Sequence, residues 1–288
     1  MAEISASAVM KLRNRSGQGM MDCKKALQEA AGDVDRAMEI LRKKGLATLA
    51  KRAERETSNG LVVSRMADGG QTGVLVSLCC ETDFVAKGTD FVTAANLLAE
   101  YALVCPADEG TDALLHTTKD GRAFNDILTE IVSKTGEKTA VGDYARFKLD
   151  GPGLLTTYIH FNSKVGTMVQ LDVSDPKVAQ AEDLQRAMMD IAMHITASKP
   201  LALDKSGIDP KVIEQERAVY AEQVKNKPAE IVGRIVDGKM GKFFAENCLL
   251  EQPFVKDDSK TVRQVLAEAA KAAGGTATIK RFARFEVG

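Results

Sequence analysis

Apolar residues recur at helical spacing through the first 45 positions and change to strand spacing from Gly60. Ser5 can cap a first helix running through Arg15, with Ala8, Val9 and Leu12 on one face. Ser16-Gly17-Gln18-Gly19 ends it. A second helix spans about Met20 to Ala31, where Cys23, Ala26, Leu27 and Ala30 fall at i, i+3, i+4, i+7. Gly32-Asp33 breaks the pattern again, and Val34 to Lys44 forms a third helix (Val34, Ala37, Met38, Leu41) closed by Gly45. Three short helices make a small bundle. The charged stretch from Arg52 to Asn59 reads as a linker.

Leu61-Val62-Val63 and Gly73 to Leu78 flank Asp68-Gly69-Gly70, the signature of a β-hairpin, and a helix follows from about Asp90 to Val104. The same pattern returns at a constant offset of 93 residues. Gly60-Leu61-Val62 reappears as Gly153-Leu154-Leu155, and Gly73, Val76 and Leu78 as Gly166, Val169 and Leu171. In the helix, Phe91, Ala94, Leu98 and Ala99 match Leu184, Ala187, Ile191 and Ala192. This predicts a tandem duplication; the alternative is chance similarity between two hairpins. Between the copies, Phe124 to Lys134 is helical and Tyr144 to Leu149 alternates as a strand. After Pro200 come two polar-faced helices, Asp209 to Lys225 and Pro228 to Asn247, which read as a protruding helical hairpin. A helix at Thr261 to Ala273 and a strand at Thr278 to Val287 close the chain.

The expected fold class is therefore α+β: an N-terminal three-helix bundle, then a duplicated hairpin-plus-helix core with antiparallel sheets and an inserted helical hairpin. Residues 1–55 form the N-terminal module and linker and 56–150 the first core subdomain. The second subdomain takes 151–200 and 249–288, with the helical hairpin at 201–248 between them.

A chain of 288 residues with a formal net charge of −1 has no global field pulling it toward nucleic acid or membrane. The first 55 residues are mildly basic, twelve Lys/Arg against seven acids, which suits an acidic protein surface but is too little for DNA. Five cysteines without a C-x-x-C pair, no basic or apolar leader after Met1, and no long apolar run predict a reducing cytoplasm. Only His116, His160 and His194 occur, and no Walker A, G-x-S-x-G or H-E-x-x-H motif is present. Cys79-Cys80 ends an apolar strand, so one thiol should lie in the core and the other be half-exposed. The composition points to a binding protein rather than an enzyme, with no cofactor and no metal. Glu81-Thr82-Asp83-Phe84-Val85-Ala86-Lys87 stands out, because an aromatic follows a carboxylate in a connecting loop. Two readings are open: Phe84 tucks into its own core with Asp83 capping the next turn, or it is offered to a partner.

With these blocks in view the chain resembles the bacterial elongation factor Ts family, the nucleotide exchange factors of elongation factor Tu. Arg15 through Leu27 and Thr82-Asp83-Phe84-Val85-Ala86-Lys87 carry the match. Ile191 to Ile195, Ala197-Ser198-Lys199-Pro200, Glu251-Gln252-Pro253-Phe254 and Arg284 to Gly288 support it. The resemblance implies that the N-terminal module is similar to ubiquitin-associated domains and docks on the partner. It also implies that Asp83 and Phe84, with Thr82, enter the GTPase beside its magnesium and nucleotide. Further family contacts fall on Met20, Met21 and Lys24, on Gly136 and His160 in the core, and on Val236 in the helical hairpin. It further implies guanine nucleotide exchange during translation elongation, with no direct nucleic acid and no membrane; homodimerisation is left open.

This chain departs from the family pattern in four places. Cys79 stands where Asn is common, Asp190 where a histidine is common, and Phe161-Asn162-Ser163 where a Gly-rich turn follows the core histidine. The chain stops at Gly288, where longer members add a helix. Two other classes are weighed and set aside: an adaptor binding ubiquitin-like or nascent-chain partners through the bundle, against which the Thr82-Asp83-Phe84 block and the full-length resemblance stand, and a cysteine-dependent enzyme, for which the sequence supplies no base. One of Met20 and Met21 is expected to be fully exposed, and His194 to be buried.

Overall fold

The computed structural model describes residues 4–288, except for the side chains of Ala229 and Glu230. The leader expectation at Met1 and Glu3 lies outside the described residues. Helices α1 (Ala6–Ser16), α2 (Met20–Glu29) and α3 (Val34–Lys51) form the N-terminal bundle. The Ser5 hydroxyl caps α1 by accepting from the Ala8 amide, and Asp33 caps α3 by accepting from Asp35 and Arg36. Val9, Leu12, Cys23, Ala26, Leu27, Ala30, Ala37 and Leu41 fill the bundle core.

The third helix does not stop at Gly45. It continues to Lys51, because Gly45 is a packing residue rather than a C-cap: a Cβ there would lie 2.7 Å from the Thr129 carbonyl and 2.9 Å from Ser133 Cβ. The missing side chain lets α3 press against α7 (Phe124–Thr135). The stretch expected as a linker is also tied down. The Arg52 guanidinium holds both Glu81 carboxylate oxygens at 2.8 Å, and Lys138 Nζ donates to the Ala53 and Arg55 carbonyls.

Strands β1 (Asn59–Ala67) and β2 (Thr72–Cys80) form the first hairpin. Helices α4 (Asp83–Ala86), α5 (Thr89–Val104) and α6 (Thr111–His116), the short pair β3 (Thr118–Lys119) and β4 (Arg122–Ala123), α7, and β5 (Thr139–Lys148) complete the first half. The second half follows the same order. It comprises β6 (Gly153–Ile159), β7 (Val165–Val173), α8 (Pro176–Gln180), α9 (Glu182–Ser198), the inserted α10 (Pro210–Gln223) and α11 (Ala229–Asn247), β8 (Pro253–Phe254), β9 (Asp257–Thr261), α12 (Val262–Ala272) and β10 (Ala277–Glu286).

The duplication is visible in the register. Leu61 pairs with Leu78 and Leu154 with Leu171, at the same offset. Each hairpin takes its third strand on the same side, giving antiparallel sheets β1-β2-β5 and β6-β7-β10. Both third strands bulge at the equivalent place, opposite Ser77 in one sheet and beside Gln170 in the other. The repeated glycines have a packing reason. A Cβ on Gly60 would meet the Leu78 carbonyl and one on Gly153 the Leu171 carbonyl, while Gly73 and Gly166 leave room for side chains of the opposite sheet.

Alternation along the strands divides the core into layers. Val62, Leu75, Phe147, Leu155, Met168 and Val287 meet between the two sheets. Val74, Val76 and Leu78 face α5 and α7, and Val169 and Leu171 face α9 and α12. The order is helix, sheet, sheet, helix. The hairpins pack head to tail: Ser163 in the β6–β7 turn accepts from the Val62 amide at the open end of the first hairpin. The Leu201 amide donates to the Asn247 carbonyl where α10 and α11 leave and rejoin the second half. No described helix is long and apolar enough to cross a membrane.

Candidate functional site

The end of β2 turns outward at Thr82. Its hydroxyl accepts from the Val85 amide at 3.3 Å and so caps α4. The same hydroxyl donates to Glu137 Oε1 at 2.8 Å, and the Thr82 amide donates to Oε2 at 3.1 Å. The capping role expected of Asp83 therefore belongs to Thr82. Val85 and Ala86 face inward on this single turn, which leaves Asp83 and Phe84 on the outer side. Phe84 is 84% exposed, so the reading that tucks it into its own core does not hold. Asp83 pairs with Lys87 at 2.7 Å, and the lysine's hydrogen bond and charge hold its carboxyl below the usual range. An ionised carboxylate and a bare aromatic ring thus stand side by side on a pinned turn.

The support beneath is polar and well partnered. The Lys138 amide and the Arg52 guanidinium lower the Glu81 carboxyl, and Asn59 donates to the Glu81 carbonyl at 3.1 Å. Glu137 follows Gly136, the left-handed residue (φ 70°) that ends α7. A groove lined by Phe84, Gly88, Asp90, Lys134 and Glu137 runs from the ring to the end of α7. The N-terminal module reaches the same place. The Cε–Nζ end of Lys134 lies over Gly17, where a Cβ would collide with it, and the ammonium pairs with Asp90 at 3.2 Å; Gly17 lies in the turn that leads into Met20.

Met20, Met21 and Lys24 are all exposed at the start of α2. Both methionines are open, Met20 at 44% and Met21 further out at 64%, because both precede the buried stripe that begins at Cys23. His160 is half-buried at the end of β6, with Nδ1 at 3.2 Å from the Tyr158 hydroxyl. Its turn hydrogen-bonds to β1 and so shares the end of the molecule that carries Thr82. Val236 is not brought to this surface. It is 4% exposed and packs with Met240, Phe243, Ala202 and Cys248 inside the helical hairpin. The apolar i, i+4, i+8 row Val232, Val236, Met240 was the signal for that burial. Glu137 and Arg52, which position the Thr82 turn, carried no signal in the sequence beyond their charge.

The thiols are placed as the alternation predicts, with Cys80 buried and Cys79 half-buried. Burial raises both, Cys80 to about 12, which is the opposite of what a nucleophilic thiol needs. His194 is fully buried; Nε2 meets Gln252 Oε1 at 2.9 Å and Nδ1 accepts from the Val255 amide at 3.1 Å.

Comparison with known proteins gives this surface a context. Residues 81–288 match the family model described as Elongation factor TS. The chain is 42% identical to "Elongation factor Ts" of a Nitratiruptor species, across 99% of this chain and 93% of the relative. It is 40% identical to the protein of that name from Chlorobium phaeobacteroides, across the full length of both. With that of Prosthecochloris aestuarii the identity is 39%, again end to end. Matched along its whole length in this way, the chain belongs to the elongation factor Ts family of translation elongation factors.

Proposed function

We propose that this chain exchanges guanine nucleotide on elongation factor Tu by inserting Asp83 and Phe84 beside the GTPase's magnesium and phosphate site. The observation that carries the proposal is Phe84, 84% exposed on a turn fixed from behind by Glu137. A GTPase holds its nucleotide through Mg²⁺ and a phosphate-cradling loop. A rigid ring driven between elements near the metal separates its ligands, and the Asp83 carboxylate competes for the polar groups that face the phosphates. The exchange factor makes and breaks no covalent bond in this scheme. It binds the nucleotide-free GTPase best, and by linkage the nucleotide weakens the factor by the same coupling free energy, typically about 1–3 kcal/mol. Incoming GTP then displaces the factor, so one molecule serves many GTPases.

Around the wedge, Met20, Met21 and Lys24 form a separate docking contact, and the Gly136 backbone and His160 extend the core contact. Val236 is omitted, because its side chain is inside the helical hairpin. The experiment is release of fluorescent GDP from elongation factor Tu with Mg²⁺ present and with Mg²⁺ chelated. A wedge that acts through the metal loses most of its accelerating effect once the metal is gone. An undiminished acceleration in chelator would remove the magnesium site from the mechanism.

A further inference from the structure

Among the described residues Phe84 is not the most exposed large apolar side chain; Phe161 is, at 90%. It lies in the turn between β6 and β7, directly after His160. The turn is held at several points. The His160 amide donates to Val165, the Ser163 amide to His160, and the Lys164 amide to Asn162 Oδ1. The Ser163 and Lys164 carbonyls accept from Val62 and Val287, one in each half of the molecule. The Phe161 ring is braced on one side by His160, at 4.5 Å between centroids, and His160 in turn by Tyr158 at 6.2 Å.

A single exposed apolar residue is ordinary on a protein surface. Two features set this one apart. Its backbone is already held by the hydrogen bonds of the turn, so fixing it in a complex costs little further backbone freedom. Its turn is bonded to Val62, about 10 Å of strand from Asn59, and Asn59 pairs with Cys80 at the root of the Thr82 turn. An interface of standard size, about 800 Å² per partner and so roughly 30 Å across, has the span to reach from one turn to the other. The duplication does not supply this ring, since the offset of 93 places Asp68 at the equivalent position, at the other end of the hairpin pair.

We infer that Phe161 is a second aromatic anchor for elongation factor Tu, filling an apolar recess beside the one that receives Phe84. The inference rests on the exchange reading above. The two rings divide the work: Phe84 disturbs the nucleotide site, whereas Phe161 holds the GTPase equally well before and after nucleotide leaves. An anchor of that kind sets the concentration at which exchange half-saturates and leaves the plateau rate unchanged.

The test titrates wild type, Phe161→Ala, Phe161→Leu and Phe84→Ala against elongation factor Tu loaded with fluorescent GDP. For Phe161→Ala the half-saturating concentration should rise about 30-fold, as for a central aromatic anchor, at an unchanged plateau. Phe161→Leu should fall between it and wild type, and Phe84→Ala should lower the plateau. Thermal melting of both Phe161 variants should match wild type, because the ring covers little of its own protein. A Phe161→Ala titration that overlays an active wild type overturns the inference and leaves the exchange reading standing. So does a lowered plateau without a shift in half-saturation, or a wild-type dimer in sedimentation that Phe161→Ala dissolves while exchange is unchanged. A wild type that fails to accelerate release overturns the exchange reading first and this inference with it.

Discussion

Replacing Phe84 by alanine separates a wedge from a core residue, and the chain carries its own control. Phe84 is 84% exposed, so the folded monomer covers only about a sixth of the side chain. Full burial of a phenylalanine contributes roughly 2–3 kcal/mol, and a sixth of that is less than about 0.5 kcal/mol. In a protein of this size that lowers the melting temperature by about 1–2 °C. Phe91, seven residues on, is 1% exposed in the core beneath α5. Phe91→Ala should cost roughly 3–5 kcal/mol and lower melting by on the order of 10 °C. The loss from Phe84→Ala should fall on exchange instead, at about 2 kcal/mol or roughly 30-fold in the accelerated rate of GDP release. Asp83→Ala should act in the same direction and more weakly, since its pair with Lys87 is solvent-exposed and Thr82 does the capping. The assay is calorimetric melting of each isolated variant beside fluorescent-GDP release. A Phe84→Ala protein that melts like Phe91→Ala and exchanges like wild type would refute the reasoning.

Gly45→Ala should destabilise by about 1–3 kcal/mol in urea titration, because the clash with the Thr129 carbonyl outweighs the ~1 kcal/mol gained in helix propensity; a stabilised variant would mean that α3 and α7 are not in this contact. Deleting residues 1–55 should leave 56–288 folded but with a lower melting temperature, since the outer face of α7 is uncovered. It should also weaken binding to elongation factor Tu, and a truncated chain that binds like the whole one would remove the docking role. Burial holds His194 below its ordinary value of 6.5, so the unfolded chain takes up the proton first as pH falls. Its contribution to stability is complete above that value and declines as pH drops through and below it. Melting temperature measured from pH 7.5 to 5 should fall less steeply in His194→Gln than in wild type.

The first half of each repeat was legible because nothing interrupts it. Gly60, Gly73, Val76 and Leu78 return at one offset, and each has a tertiary reason to be what it is. The second half was not, because α10 and α11 are inserted and shift the offset. Phe124, Ile127 and Leu128 of α7 match Val262, Val265 and Leu266 of α12 at 138 residues, outside the offset of 93 that relates the hairpins. Gly45 misled for a different reason. A glycine after a basic turn looks like a C-cap, and the helix that needs its missing Cβ lies some 80 residues away. Alternation sufficed for Cys79 and Cys80, since it only had to distinguish two faces of a strand. It could not place Phe84, which follows the strand's end. There the short α4 decides: Val85 and Ala86 take the inner side of one turn, and the ring is left outside. The Val232, Val236, Met240 row was readable as a buried stripe, but the family contact carried onto Val236 pointed the other way.

Exchange itself rests on one rate. Elongation factor Tu loaded with fluorescent GDP is mixed with this chain at a small fraction of its concentration, under excess unlabelled nucleotide, and the fluorescence decay is timed. Each molecule of the chain should discharge many GTPases, with the observed rate rising in proportion to the chain added. A decay that stays at the spontaneous rate even at saturating chain, with a GTPase shown to bind and release GDP normally, would contradict the proposed function.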